Sequence, residues 1–351
     1  MGYSMFLAGL SHHDEKRTSP GYTLYTPMSA QAFYLIDMGG NVVHEWAAPT
    51  GTKTFYGTLL ENGNLLAKLV NGTEVFGEQG GNSGLMVEMD WDGHVAWEYL
   101  DSLTHHDHVR RSNGNTIVVV SDVLDQDAAS KIKGGAPGTE ADEGTIRGER
   151  LKEITPAGQV VWEWRAYDSL DLNADVLPPT GPRSTWLHCN ALEELPDGDL
   201  LVSFNSLSRL MIIEKATGKV KWRLNQGTTD RQHNPTPLSN GNILVFDNGA
   251  SRNQSRVIEI VPETQEIAWE YTGAPPDSFF SFNISGAQRL NNGNTLICEG
   301  RSGRMFEVTQ ECETVWEFVN PVVVDRLGQP SRQVFRAYRY AADSPEIRNR
   351  V

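Results

Sequence analysis

The sequence predicts an all-β fold, a six-bladed β-propeller, and three observations carry that expectation. A hairpin turning on Asn-Gly-Asn or a close variant recurs five times, a second hairpin ending in tryptophan recurs six times, and the two alternate along the chain. Four antiparallel strands repeated at the 47 to 65 residues that separate those tryptophans mark a propeller, whose radial packing leaves only short edges exposed.

The first hairpin reads FYGTLLENGNLLAKL at 55–69, HHDHVRRSNGNTIVVV at 105–120, HCNALEELPDGDLLVSF at 188–204, HNPTPLSNGNILVF at 233–246 and NISGAQRLNNGNTLI at 283–297. Apolar and β-branched residues flanking an Asn-Gly or Asp-Gly turn are the sequence mark of two paired strands, here A and B. The second hairpin, strands C and D, occupies 32–46, 84–99, 150–164, 209–224, 256–271 and 304–318, and its D strands carry Trp46, Trp97, Trp162, Trp222, Trp269 and Trp316. These indoles are expected to fill the wedges between neighbouring blades.

The ends imply closure. GYTLYTP before the first C-D unit is a B strand without an A strand, and SRQVFRAYRY at 331–340 is an A strand without a B strand. The C-terminal strand is therefore expected to join the N-terminal three and complete the sixth four-stranded blade. Residues 20–345 form the propeller on this reading, with 1–19 and 346–351 as tails; His12 and His13 are assigned to solvent. No extended helix is evident. The stretches 125–148 and 166–185 are long insertions, the first holding at most one short helix, and connections of that length usually carry function.

Composition narrows the function classes. The chain of 351 residues has 39% hydrophobic residues and sets 45 acidic against 30 basic side chains, a formal charge of -15, with no lysine-arginine run. Such a surface repels nucleic acid and anionic lipid, so neither nucleic-acid binding nor membrane association is expected. Cys189, Cys298 and Cys312 are odd in number and contain no CxxC, against a disulfide framework. The opening segment has no basic n-region and only a short apolar patch, so the expected compartment is the cytoplasm. Nothing in the pattern specifies an oligomer.

In a propeller strand A lines the central channel, so the A-B and C-D turns share one face and the starts of the A strands share the other. The histidines stand at those starts, and both long insertions sort to the same face, placed to roof the channel. Counting back from each turn, His106 and His233 and Asn190 fall at one level; His108 and His188 lie two residues away, on the same side of the strand by its two-residue period. By the same alternation His105 and Asp107 point away, leaving Asp107 a supporting role, and Cys189 packs outward between blades. Tyr56 or Phe55 on the first blade and Asn283 or Ser285 on the fifth take the corresponding places. Arg183, Arg231, Arg336 and Arg339 lie near the mouth, where a guanidinium fork suits sulfate, phosphate or carboxylate. Trp186, Phe282 and Tyr338 offer aromatic surface.

Two chemistries fit such a set. The group His106, His108, His188 and His233 would hold a divalent metal (Zn, Mn, Fe or Ca) for a lyase or hydrolase reaction. Without metal, one histidine would act as nucleophile or base while others, with an arginine such as Arg336, meet developing oxyanion charge. A binding propeller without catalysis is the third reading.

The combination of VVHEW, HHDHV with SNGNTI, WLHCN, RQHN with SNGNILVFDNG, SGAQRLNNGNTLICEG and FRAYRY resembles the arylsulfotransferase family, over roughly residues 20–345. The resemblance implies sulfuryl transfer from a phenolic sulfate ester to another phenol without PAPS and without a cofactor, through a covalent sulfohistidine. It places His188 and His233 in the histidine set, matches Arg336 to the sulfuryl-binding arginine, and implies a small aromatic or anionic substrate.

Overall fold

The computed structural model describes residues 8–71, 84–141, 144–326 and 328–351. Its six main sheets are arranged as expected. Blade 1 is Thr52–Leu59, Leu65–Asn71, Gly84–Met89 and Val95–Leu100; blade 2 is Thr104–Arg110, Thr116–Leu124, Ile146–Ile154 and Val160–Arg165. Blade 3 is Cys189–Glu194, Leu200–Phe204, Arg209–Ile213 and Val220–Arg223, and blade 4 is His233–Pro237, Ile243–Asp247, Arg256–Ile260 and Ile267–Thr272. Blade 5 is Gly286–Arg289, Thr295–Glu299, Arg304–Val308 and Thr314–Val319. Blade 6 closes the ring: Val334–Tyr340 pairs antiparallel with Tyr22–Pro27, which continues into Ala32–Ile36 and Val42–Ala47.

The A-B turns are alike because the backbone demands it. Gly63, Gly114, Gly198, Gly241 and Gly293 all sit at φ between +82° and +90°, a region glycine enters without a Cβ penalty. The turn asparagines have a second use. Asn64, Asn115, Asn242 and Asn294 each donate, at 2.7 to 2.8 Å, to a strand-C glutamate of their own blade: Glu88, Glu153, Glu259 and Glu307. A basic residue of the following blade meets three of them directly from its A strand, Arg110 on Glu88, Arg289 on Glu259 and Arg339 on Glu307. Lys215 of blade 3 takes the same part for Glu153 at 2.6 Å.

The tryptophans link the blades as well as filling wedges. Each indole N–H donates to a carbonyl of the next blade's C-D turn: Trp46 to Asp90, Trp97 to Pro156, Trp162 to Lys215, Trp222 to Pro262, Trp269 to Gln310 and Trp316 to Met38, at 2.8 to 3.2 Å. The cycle runs once round the ring and closes across the junction of blades 5 and 6.

Two segments expected as terminal tails are built into the structure. Gly9–His13 adds a fifth strand to the outside of blade 5, paired from Gly9 opposite Val319 to His13 opposite Trp316 with a register shift between Leu10 and His12. An outermost strand exposed on both faces needs no apolar alternation, which is why LSHH does not read as one. At the other end Ile347 is buried between blades 6 and 1. The insertions hold two short helices, Gln126–Lys131 and Ala166–Ser169, and a parallel two-stranded ladder of Gly134–Ala136 with Leu177–Pro182. Among the described residues no helix is long and apolar enough to cross a membrane.

Candidate functional site

At the top of the channel the starts of the A strands depart from regular extended backbone. His106, His188, Asn234, Ile284 and Ser285 all have φ between +48° and +88° except His106, at +47°. The pairing register of the A strands shifts at the same level in blades 2, 3 and 4. A non-glycine residue in the left-handed region costs about 1 kcal/mol, and the bulge it makes re-aims the neighbouring side chains. That is the device that builds the site.

His106, His188 and His233 converge on one cavity of about 390 Å3, with Phe55, Phe335 and Arg231 among its walls. The rings of His106 and His188 meet edge to face with centroids 4.6 Å apart. His106 is the end of a buried chain: Glu149 Oε2 lies 2.8 Å from His105 Nε2, and His105 Nδ1 lies 2.8 Å from His106 Nδ1. The glutamate is itself anchored, its Oε1 accepting the backbone N–H of Cys189 at 2.9 Å. With Glu149 accepting from His105 Nε2–H, His105 Nδ1 accepts from His106 Nδ1–H. His106 Nε2 is left with its lone pair, free of hydrogen bonds to the described protein, facing the cavity.

His233 is held differently. Asn248 donates its amide hydrogens to the carbonyls of Ser281 and Ile284, so its Oδ1 accepts His233 Nδ1–H at 2.7 Å. His233 Nε2 then accepts the Ile284 N–H at 3.2 Å. His188 makes no hydrogen bond through its ring among the described residues. Burial pushes the His188 pKa down to about 3, helped by His105, His233 and Arg231. Burial brings His233 to about 4 despite its bonds to Asn248 and Arg231, and holds His106 well below its ordinary range, reinforced by His188, His105 and His233. At neutral pH all three are uncharged.

One step down the strands the channel is plugged. Arg336 reaches across from blade 6, donating to Asp107 Oδ2 at 2.8 Å and to the Asn190 carbonyl at 2.8 Å, while Tyr56 donates to Asp107 Oδ1. Asp107, which strand alternation points away from the channel, faces it because of the bulge at His106. Burial alone would raise its carboxyl, but Arg336, His108 and Tyr56 hold it below the usual carboxylate range. His108 lies beside this plug, its Nδ1 3.2 Å from Tyr56 Oη, and does not line the cavity. Its neighbour Lys68 is wholly buried without a hydrogen-bond partner among the described residues, and burial brings its pKa down to about 7. Tyr338 stands lower still, held up near 12 by burial.

The remaining expected site residues divide. Asn283 and Phe282 line the cavity; Asn190 supports the plug and donates to the Gln232 carbonyl. Trp186 is fully buried in the core between blades 2 and 3, its indole N–H on the Asp175 carbonyl. Arg183 pairs with Glu140 and donates to the carbonyls of Gly134 and Ile132, tying the two insertions together. Among the described residues no insertion residue lines the cavity; the roof comes instead from the hairpin Val324–Arg326 and Gln329–Ser331, which brings in Arg326. Among the described residues no group of three or more His, Cys, Asp or Glu side chains is arranged to hold a metal ion. A larger hollow of about 640 Å3 lies between the outer parts of blades 4 and 5, where Arg304 is paired with Glu317 and Glu299; it contains none of these groups.

His105, Glu149 and Arg326 escape a reading of the sequence. His105 is discounted by alternation, and Glu149, the fourth residue of a C strand after a long insertion, carries no motif.

A profile described as Arylsulfotransferase (ASST) matches residues 59–321. Among solved structures, a protein of unknown function from Bacteroides caccae is 13% identical, with 91% of this chain and 98% of that one covered at a TM-score of 0.57. A streptogramin B lyase is 15% identical, with 90% and 83% covered at 0.51. At these identities the likeness is one of fold. No curated protein sequence matches the chain.

Proposed function

The chain belongs to the arylsulfotransferase family, and on that premise we propose that its top-face cavity moves a sulfuryl group between phenolic oxygens with His106 as nucleophile. The observation that carries this reading is the chain Glu149–His105–His106, which ends in an unengaged imidazole nitrogen inside the cavity.

In the first half-reaction His106 Nε2 attacks the sulfur of an aryl sulfate, the Nε2–S bond forms, and the S–O bond to the ring breaks. Forming that bond makes the Nδ1–H of His106 more acidic, and its proton passes to His105, whose other N–H is already held by Glu149. Phenolate leaves with the bonding pair. Arg231, which lines the cavity, meets the sulfuryl oxygens. An acceptor phenol then gives up its proton, its oxygen attacks the sulfur, the Nε2–S bond breaks, and the proton on His105 returns to His106. His188, uncharged and edge-on to His106, accepts the proton of the entering phenol and releases it to water, while the leaving phenolate takes its proton from solvent. Phe55 and Phe335 supply the aromatic wall.

Steady-state kinetics test the proposal. Aryl sulfate turnover appears only when a phenol is supplied, with parallel double-reciprocal lines as donor and acceptor are varied, and survives treatment with chelator. Release of free sulfate at an equal rate without any phenol, or activity that chelator abolishes and a divalent metal restores, overturns it.

A further inference from the structure

Beside the cavity lies a second hollow of about 480 Å3, on the same face and sharing Asn283 and Arg326 with it. Its walls carry three arginines, Arg301, Arg326 and Arg332. With Arg231 in the cavity, four guanidinium groups border the two hollows, and no aspartate or glutamate lines either one among the described residues. In a chain of formal charge -15 that is a local reversal of sign. Many arginines elsewhere are neutralised: Arg111, Arg150, Arg256 and Arg339 each meet a carboxylate. Arg231, Arg301 and Arg332 meet none among the described residues. Arg332 donates only to the Asn320 carbonyl and Arg231 to Asn205 Oδ1.

Arg301 is the most telling of these. Its guanidinium lies 4.4 Å from the ring centre of Phe282, and that ring is 46% exposed and lines the cavity wall. An exposed phenylalanine capped by an exposed, unpaired arginine sits at the junction of the two hollows. A planar ring leaving the cavity passes along Phe282 and brings whatever it carries to Arg301. Arginine's fixed fork accepts a carboxylate or sulfonate with paired donors.

We propose that this second hollow is a vestibule for an anionic group on the far side of the substrate's aromatic ring, so that the preferred substrates are aromatic sulfates bearing a second oxyanion such as a carboxylate. The proposal rests on the reading of the cavity as an aryl sulfate site. It explains why a strongly acidic protein keeps an arginine border at this mouth: an ester with one anionic group needs one arginine, and the vestibule supplies the others.

The test uses ligands that bind but cannot transfer a sulfuryl group. Calorimetric titration of the unaltered protein compares benzenesulfonate with 4-sulfobenzoate, which differ by one carboxylate. The vestibule predicts that the dianion binds at least about tenfold more tightly, as a charge-assisted hydrogen bond supplies. It also predicts that the preference shrinks at least about threefold in Arg301→Gln, while Arg301→Lys keeps part of it through its charge. Arg301 is exposed, so neither substitution threatens the fold. Equal affinities for the two sulfonates, binding of neither, or a preference that Arg301→Gln leaves unchanged overturns the proposal. A dianion preference that depends on Arg301, in a protein that transfers no sulfuryl group to any phenol, retires the transfer reading and leaves the vestibule standing.

Discussion

Glu149 and His105 never reach the cavity, yet they decide which nitrogen of His106 does. Replacing Glu149 by glutamine keeps the shape and the bond to the Cys189 N–H but removes the negative charge that receives a protonated His105. The expected result is a fall in kcat of about 100-fold, the lower end of what a positioned base contributes, with KM little changed; loss confined to KM would make Glu149 a packing residue. The pH profile checks the same assignment. His188 and His233 titrate near 3 and 4, and burial holds His106 low as well. Imidazoles whose pKa is depressed stay neutral as pH falls, so kcat/KM keeps its value from pH 7 to about 5 and declines only nearer 4. A decline centred at histidine's ordinary value, about 6.5, contradicts the environment described. At this scale the sequence was legible in residue type and level: the A-strand starts do bring His106, His188 and His233 together, with Phe55 and Asn283. It was not legible in direction. The two-residue period fails wherever a left-handed residue inserts a bulge, which is why Asp107 turns inward and His108 lies below the cavity. Arg183 and Trp186 point into the insertions' own packing because long loops must satisfy and bury their own groups first.

The elements are joined by two repeating devices, and both predict stability. Trp316 is wholly buried and its indole N–H meets the Met38 carbonyl at the closing junction, whereas Trp97 makes the equivalent bond at an exposed edge. Trp316→Phe is expected to cost about 2 kcal/mol and Trp97→Phe under about 1, because water replaces only the exposed bond. Urea denaturation midpoints compare the two; equal costs would make the tryptophans wedge fillers alone. The strand-C glutamates predict acid behaviour. Burial would raise Glu153, but Asn115, Lys215 and Arg111 bring it down to about 2, below its unfolded value of about 4.5. The stability it contributes is therefore complete above pH 4.5 and is lost as pH falls toward 2. Glu153→Gln should flatten the stability profile across that window and lower it at pH 7; an unchanged slope would place the interaction outside the folding equilibrium. The hairpins and the tryptophan period were visible in the chain because each is local. The glutamate device was not, since its basic partner comes from the following blade.

Across the whole molecule the ring is closed by one strand. Val334–Tyr340 brings Arg336 to the channel plug, Phe335 to the cavity and Arg339 to Glu307, so it joins blade closure to the site. A chain ending at Ser331 should lose cooperative thermal unfolding, whereas one lacking residues 1–13, and with them the outermost strand of blade 5, should keep it; the reverse order would contradict closure by the C-terminal strand. The closed ring holds histidines from three blades around one cavity, where we propose that His106 carries the sulfuryl group. That assignment is tested by mixing the protein with a sulfur-35-labelled aryl sulfate in the absence of phenol, quenching, digesting and mapping the label. We expect a stoichiometric adduct on the peptide containing His106, discharged on adding phenol and absent in His106→Asn. Label on the His188 or His233 peptide, or phenol-dependent turnover with no protein-bound label, would contradict it.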